Sequence, residues 1–220
     1  MMSALGGARG VPGRVTRLVL LRHGEALGVA GRCIGQTDVP LSPDGAAAIR
    51  RLVADGPRTL IGTCEGVVRV VSSDLRRAAE SAEIVAAALD CDVVQDARLR
   101  EISFGEWDGH SWSDIECGYP EQLRTWMERW TETAAPGGES VDDLLKRATE
   151  WTSDAVSGQS SATTIVVVSH AGWIRAAVSH LLAYDIAHMF AIPVDHARVT
   201  IIDVGAAGAT LVASNVERLA

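Results

Sequence analysis

The chain has 220 residues, 47% hydrophobic and 22% charged, with 28 acidic against 20 basic side chains. That length suits one large domain or two small ones; no apolar run approaches the ~18 residues that a bilayer span needs, and the aliphatic content is too high for a disordered chain. A formal charge of −8 speaks against a general nucleic-acid binder, which needs a basic surface, but leaves room for a small anion held in a local pocket.

Residues 1–14, rich in glycine and arginine and without the apolar stretch of a signal peptide, read as a flexible tail, with a cytoplasmic location as the default. The first strand is expected over 16–21 (TRLVLL), continuously apolar like a central strand covered on both faces. Ser42-Pro43 then offers a capping hydroxyl and a proline for the first helical turn, and Gly56-Pro57 ends that helix. A second strand is expected over 66–71, an alanine-rich helix over 75–89 after Asp74, and a third strand over 92–95. Ser111 to Asp114 forms a capping box opening a helix that carries Trp126 and Trp130; Ser140 to Asp143 repeats the device before a helix over 144–156. A fourth strand at 163–168 runs straight into a helix over 171–182, and 198–204 reads as a fifth strand. This alternation predicts an α/β fold, a three-layer α/β/α sandwich with a mostly parallel central sheet, as a single domain over 15–220. Strand order is not legible from it. The Trp-, Gly- and Pro-rich stretch 104–138 reads as a lid-like insertion.

Cys33, Cys64, Cys91 and Cys117 are scattered without a CxxC pair, so free thiols are expected rather than a zinc knuckle or redox dithiol. His180, His188 and His196 recur every eight residues but fall in different elements without acidic partners, and no metal site is read from them. Nor does His23-Gly24-Glu25 have the downstream Pro-Cys-x-x-Cys of a zinc deaminase.

In open α/β sheets, ligands bind outside the carboxyl ends of the strands. Here those ends read Leu21-Arg22-His23-Gly24-Glu25, Ser73-Asp74-Leu75-Arg76-Arg77-Ala78, Leu99-Arg100-Glu101 and Val168-Ser169-His170-Ala171-Gly172. Arginine binds phosphoryl oxygens in a bidentate fork. Histidine can attack phosphorus and carry it. A carboxyl group can protonate a departing alkoxide and then take a proton from water. Each residue also has a bland alternative: strand-end histidines that merely complete a hydrogen-bonded core, and a Glu101 that only pairs with Arg100.

The four motifs, with Phe104-Gly-Glu-Trp-Asp-Gly109, resemble in kind and order those of the histidine phosphatase (phosphoglycerate mutase-like) superfamily, and within it most the α-ribazole-5′-phosphate phosphatase branch. The resemblance spans residues 21–175. It implies His23 as nucleophile, Arg22, Arg77 and a cationic His170 as phosphate ligands, Glu101 as proton donor, and backbone amides around Ala171 at a helix start. Arg76 is expected to face solvent. Residues 31–38, with Gln36, resemble the family's substrate-side Arg-x-x-Gly-x-x-Asp loop, and Pro136 to Ser140 its Pro-Gly-Gly-Glu-Ser turn. One departure is Ala26 to Ala30, where many members carry an asparagine.

The implied activity is metal-independent, cofactor-free hydrolysis of a small phosphomonoester through a phosphohistidine, with neither nucleic acid nor membrane as partner and with room for a homodimer. One alternative is a phosphoglycerate mutase, but 104–138 is short for one and holds only Arg124 and Arg129 as bases. A catalytically silent phospholigand-binding protein is another, although a pure binder has no use for a placed acid. Trp112, Trp126 and Trp130 read as lid packing, with a stacking platform for an aromatic leaving group as the lesser option. Net acidity is then expected on helix faces such as Asp142-Asp143 and Glu80 to Glu83, around a locally positive site.

Overall fold

The alternating in-and-out pattern of the strands places one apolar set on each face of a twisted sheet. In the computed structural model, which describes residues 15–56, 61–62, 66–159 and 161–217, the strands are β1 (Thr16–Arg22), β2 (Val67–Ser72), β3 (Val93–Gln95), β4 (Thr163–Ser169), β5 (Val199–Gly205) and β6 (Gly208–Val216). The helices are α1 (Pro43–Val53), α2 (Arg76–Leu89), α3 (Trp112–Gly118), α4 (Pro120–Glu128), α5 (Val141–Ser157) and α6 (Ala171–Leu181). The expected tail over 1–14 lies outside the described residues, as does Pro57 of the expected helix stop.

Among the described residues the sheet order is β3-β2-β4-β1-β5-β6. β1 to β4 run parallel; β5 is antiparallel to β1, and β6 to β5. Leu18, Leu20, Ile165 and Val167 face Leu144, Ala148 and Trp151 of α5 and Trp173, Ile174 and Ala177 of α6. The alternate residues Val19, Leu21, Val166 and Val168 face Ile49 and Leu52 of α1 and Ala78, Ala82 and Val85 of α2. The three layers and mostly parallel sheet expected from the strand–helix alternation are therefore present.

Local chemistry sets most boundaries. Ser42 accepts from the Gly45 N–H ahead of α1, and Ser111 with Asp114 and Ser140 with Asp143 form reciprocal capping boxes. The expected single helix through Trp126 and Trp130 is in fact two: Pro120 has no N–H to continue α3 and instead opens α4, which ends before Trp130. The edge strand β6 escaped the sequence reading because it is mostly exposed and its one apolar run, Leu211-Val212-Ala213, is too short to stand out.

Residues 104–138 close over the loop at 32–37. Cys33, Trp107, Ile115 and Ala135 make a small core of their own there. Asp108 ties the two segments, accepting from the Gly35 N–H at 2.7 Å and the Phe104 N–H at 3.0 Å. Gly105, at φ 53°, lies so close to the Pro136 carbonyl that no side chain would fit. Cys33, Cys91 and Cys117 are free thiols; Cys64 lies outside the described residues. No helix among the described residues is long and apolar enough to cross a membrane.

Candidate active site at the carboxyl ends of the central strands

Three neighbouring parallel strands, β2, β4 and β1, end in register. Arg22 sits opposite Ser169, and Ser72 opposite Val168. The ladder runs one residue further, with His23 N–H donating to Ser169 O and Ser73 N–H to Val168 O, each at 3.0 Å. His23, His170 and Ser73 therefore leave the sheet side by side.

The His23 ring is 5% exposed. Its Nδ1–H donates to Gly24 O at 2.6 Å, which leaves the Nε2 lone pair to accept from Arg77 Nε at 3.3 Å. That fixes the tautomer needed for attack through Nε2. Arg77, on the first turn of α2, is itself 2% exposed and is held by Thr37 O at 2.9 Å and Gly35 O at 2.6 Å. Its neighbour Arg76 is exposed and pairs with Glu80 at 3.1 Å. Arg22 donates to Val194 O at 2.8 Å, while its buried Nε has no partner. His170 is fully buried, with Nε2 2.9 Å from Ser73 Oγ, its ring 4.9 Å from that of His23, and Nδ1 without a partner.

Glu101 accepts from the Ile102 and Gly172 N–H groups, each at 3.1 Å. A Cβ at position 172 would overlap the carboxylate, so the glycine lets Glu101 lie against this backbone N–H. Arg100 turns away to pair with Asp74 at 2.7 Å rather than with Glu101. Gln36 donates to the Glu101 carbonyl at 3.0 Å and so supports the acid from behind.

Burial, reinforced by Arg77 and Arg22, holds the His23 imidazole well below the ordinary histidine range. Burial does the same to His170, aided by His23 and the two arginines. Burial and the neighbouring cations therefore work against the cationic His170 that the resemblance implies. Arg22 and Arg77 are also lowered by burial, opposed chiefly by Glu101.

Arg22, His23, Arg77 and Glu101 line one cleft of about 190 Å³. His170 does not line this cleft and meets it only through the His23 ring, 4.9 Å away. Ala171 lines instead an adjoining cleft, and Gln36 lines neither. Two participants were missed in the sequence. His196, grouped there with two exposed histidines, brings its ring 5.4 Å from that of His23. Burial, aided by Arg22, pushes its pKa down to about 4. Arg175, one turn into α6, lines the adjoining cleft with Glu101. The signal for His196 would have been its place just before β5, but only knowledge that β5 pairs with β1 makes that place informative. Among the described residues no group of three or more His, Cys, Asp or Glu side chains is placed to hold a metal ion.

Comparison with known proteins gives this geometry a context. A profile of the histidine phosphatase superfamily (branch 1) matches residues 18–217. The chain is 35% identical over 211 residues to a bifunctional protein of Mycobacterium tuberculosis, covering 94% of this chain and 54% of that protein. It thus spans about half the length of the first curated relatives it matches. It is 34% identical over 185 residues to a glucosyl-3-phosphoglycerate phosphatase of Mycolicibacterium vanbaalenii, with 79% of this chain and 77% of that one covered. The crystal structure of an α-ribazole phosphatase from Shigella flexneri is similar, with a TM-score of 0.82 and 25% identity over 93% of this chain and 98% of that one.

Proposed function

This chain belongs to the histidine phosphatase superfamily, and we propose that it hydrolyses a small phosphomonoester without a metal, through a phosphohistidine on His23. The observation that carries this reading is the His23 ring itself: Nδ1 is anchored to a backbone carbonyl, and Nε2 is turned toward Arg77 in a cleft that also holds Arg22 and Glu101.

Nε2 attacks phosphorus in line as the ester P–O bond breaks, and Glu101, in its acid form, protonates the leaving oxygen. Arg22 and Arg77 hold the equatorial oxygens in a preorganised, partly dry site. The unpartnered Arg22 Nε and His170 Nδ1 gain acceptors when phosphate enters. An anion there also offsets the desolvation that keeps His170 neutral, so the ring protonates on binding. Water then attacks phosphorus, Glu101 takes its proton, the P–N bond breaks and His23 recovers its lone pair. The relatives named for phosphorylated metabolites support a small phosphomonoester as the substrate class.

Rapid quenching during turnover of a ³²P-labelled monoester tests the reading. Acid-labile label on His23, appearing before free phosphate, is expected; turnover without label on His23 overturns it. Undiminished turnover in EDTA is expected as well.

A further inference from the structure

Glu101 and Ile34 line two clefts at once, the polar one with His23 and a second, largely apolar one of about 190 Å³. Resting on the phosphatase reading, we infer that the second cleft receives the alcohol part of the substrate, and that this part carries a planar unsaturated ring.

The proton donor marks where the leaving oxygen sits. Phosphorus lies on the His23 side of Glu101, so whatever the leaving oxygen carries extends to the other side. There the wall is built from aromatic rings. Phe104 and Trp126 meet edge to face at 6.0 Å, and Trp130 and Phe190 lie 4.9 Å apart. Phe190 is 64% exposed at the rim, an exposed ring that a bound apolar group would cover. Such rings favour offset or edge contacts with another flat π-system over a polyol, which would leave its hydroxyls unpaired.

Arg175 supplies the cation of this wall. Its Nε donates to Ile192 O at 3.0 Å, and its guanidinium sits 5.5 Å from the centre of the Phe190 ring. Both hold it in place and leave its terminal nitrogens to donate to an oxygen on the ring.

Two esters whose alcohols are of similar acidity separate recognition from chemistry: 2-phenylethyl phosphate and ethyl phosphate. The phenylethyl ester is expected to have a kcat/KM on the order of 30-fold higher, with 2-cyclohexylethyl phosphate clearly below it. Phe190→Ala, at an exposed position, is expected to cut the phenylethyl-to-ethyl ratio about tenfold, and Phe190→Tyr to retain it. A wild-type ratio near one, or a ratio that ignores Phe190→Ala, overturns the inference; equal use of the cyclohexyl ester overturns its planar-ring component. Calorimetry of the full chain with 2-phenylethylphosphonate and ethylphosphonate needs no turnover. If no ester is hydrolysed, the phosphatase reading fails, and selective or unselective phosphonate binding then decides the cleft assignment alone.

Discussion

The two clefts that meet at Glu101 have the same volume, about 190 Å³, and opposite chemistry. The polar one is built on the sheet. Arg22 and His23 continue β1, His170 continues β4, and Arg77 opens the helix after β2. Each polar tip is fixed by a backbone carbonyl or a buried hydroxyl. The apolar one is built from helices and the connections between them: Trp126 of α4, Val141 and Leu144 of α5 and Arg175 of α6, with Phe104, Trp130 and Phe190 outside these helices. Rigid strand ends can hold donors to the tolerance that phosphoryl transfer needs, whereas loops can change ring by ring without disturbing them. On the proposed reading, chemistry and selectivity are carried by different parts of the chain and joined through one carboxylate.

Removing the nucleophile is the hardest blow to this division. His23→Ala is expected to lower phosphate release by at least about a thousandfold, since the covalent route closes entirely. Binding of 2-phenylethylphosphonate, whose ring enters the apolar cleft, should survive, as calorimetry can check. Glu101→Gln comes next and touches both clefts. It should lower kcat/KM for alkyl phosphates by about 10²–10⁴-fold yet spare kcat/KM for p-nitrophenyl phosphate, whose leaving group needs no proton, while the shared hydrolysis of the phosphohistidine slows for both. A uniform loss of kcat/KM across leaving groups would make Glu101 a binding group and not an acid. Arg77→Lys keeps the charge but loses the fork to phosphate and to Gly35 and Thr37, and a roughly 10²-fold fall in kcat/KM is expected from steady-state assays.

The smallest effect concerns stability. His23, His170 and His196 all bind protons less readily in the folded chain than when unfolded. Below the unfolded value of about 6.5 the unfolded state therefore holds more protons, and stability falls as pH drops. For His196 this window runs from there down to a folded pKa of about 4. In urea melts, His196→Gln should flatten the acid slope by about 0.5–1 kcal/mol per pH unit, allowing for the ring's partial exposure. Phosphate should flatten it further by supplying the missing counter-charge.

Much of the polar cleft is legible in sequence because each of its residues follows a strand signal directly. The β-branched run at 163–168 ends at Ser169-His170, so the strand and the functional residue are read together. The choice of Arg77 over Arg76 came from the family motif, and the start of α2 gives its physical basis: one arginine turns under the sheet edge and the other pairs with Glu80 in solvent. The apolar cleft was legible only in part: the sequence offered Trp112, Trp126 and Trp130 as a lesser stacking option, and of these Trp126 and Trp130 line the cleft while Trp112 does not. Its rings come from positions 104, 126, 130 and 190, and no periodicity links Phe190 to Trp130 across a separation of 60 residues. Pro120 announced a break that the helical reading passed over, and the apolar run of β6, Leu211-Val212-Ala213, is only three residues long.

By itself, then, the sequence determined the layer architecture and the residues at the strand ends, because hydrophobic period and capping chemistry are local properties. Tertiary structure alone decided which strand ends touch, that His196 joins His23, and that Arg175 and the aromatic rings share Glu101 with the cleft that holds His23. Those are consequences of strand order and of loops meeting over long sequence separations, where packing and not propensity selects the neighbour. The net charge of −8 belongs to the same division: composition records the total, and only the fold sets arginines 22, 77 and 175 around a single carboxylate.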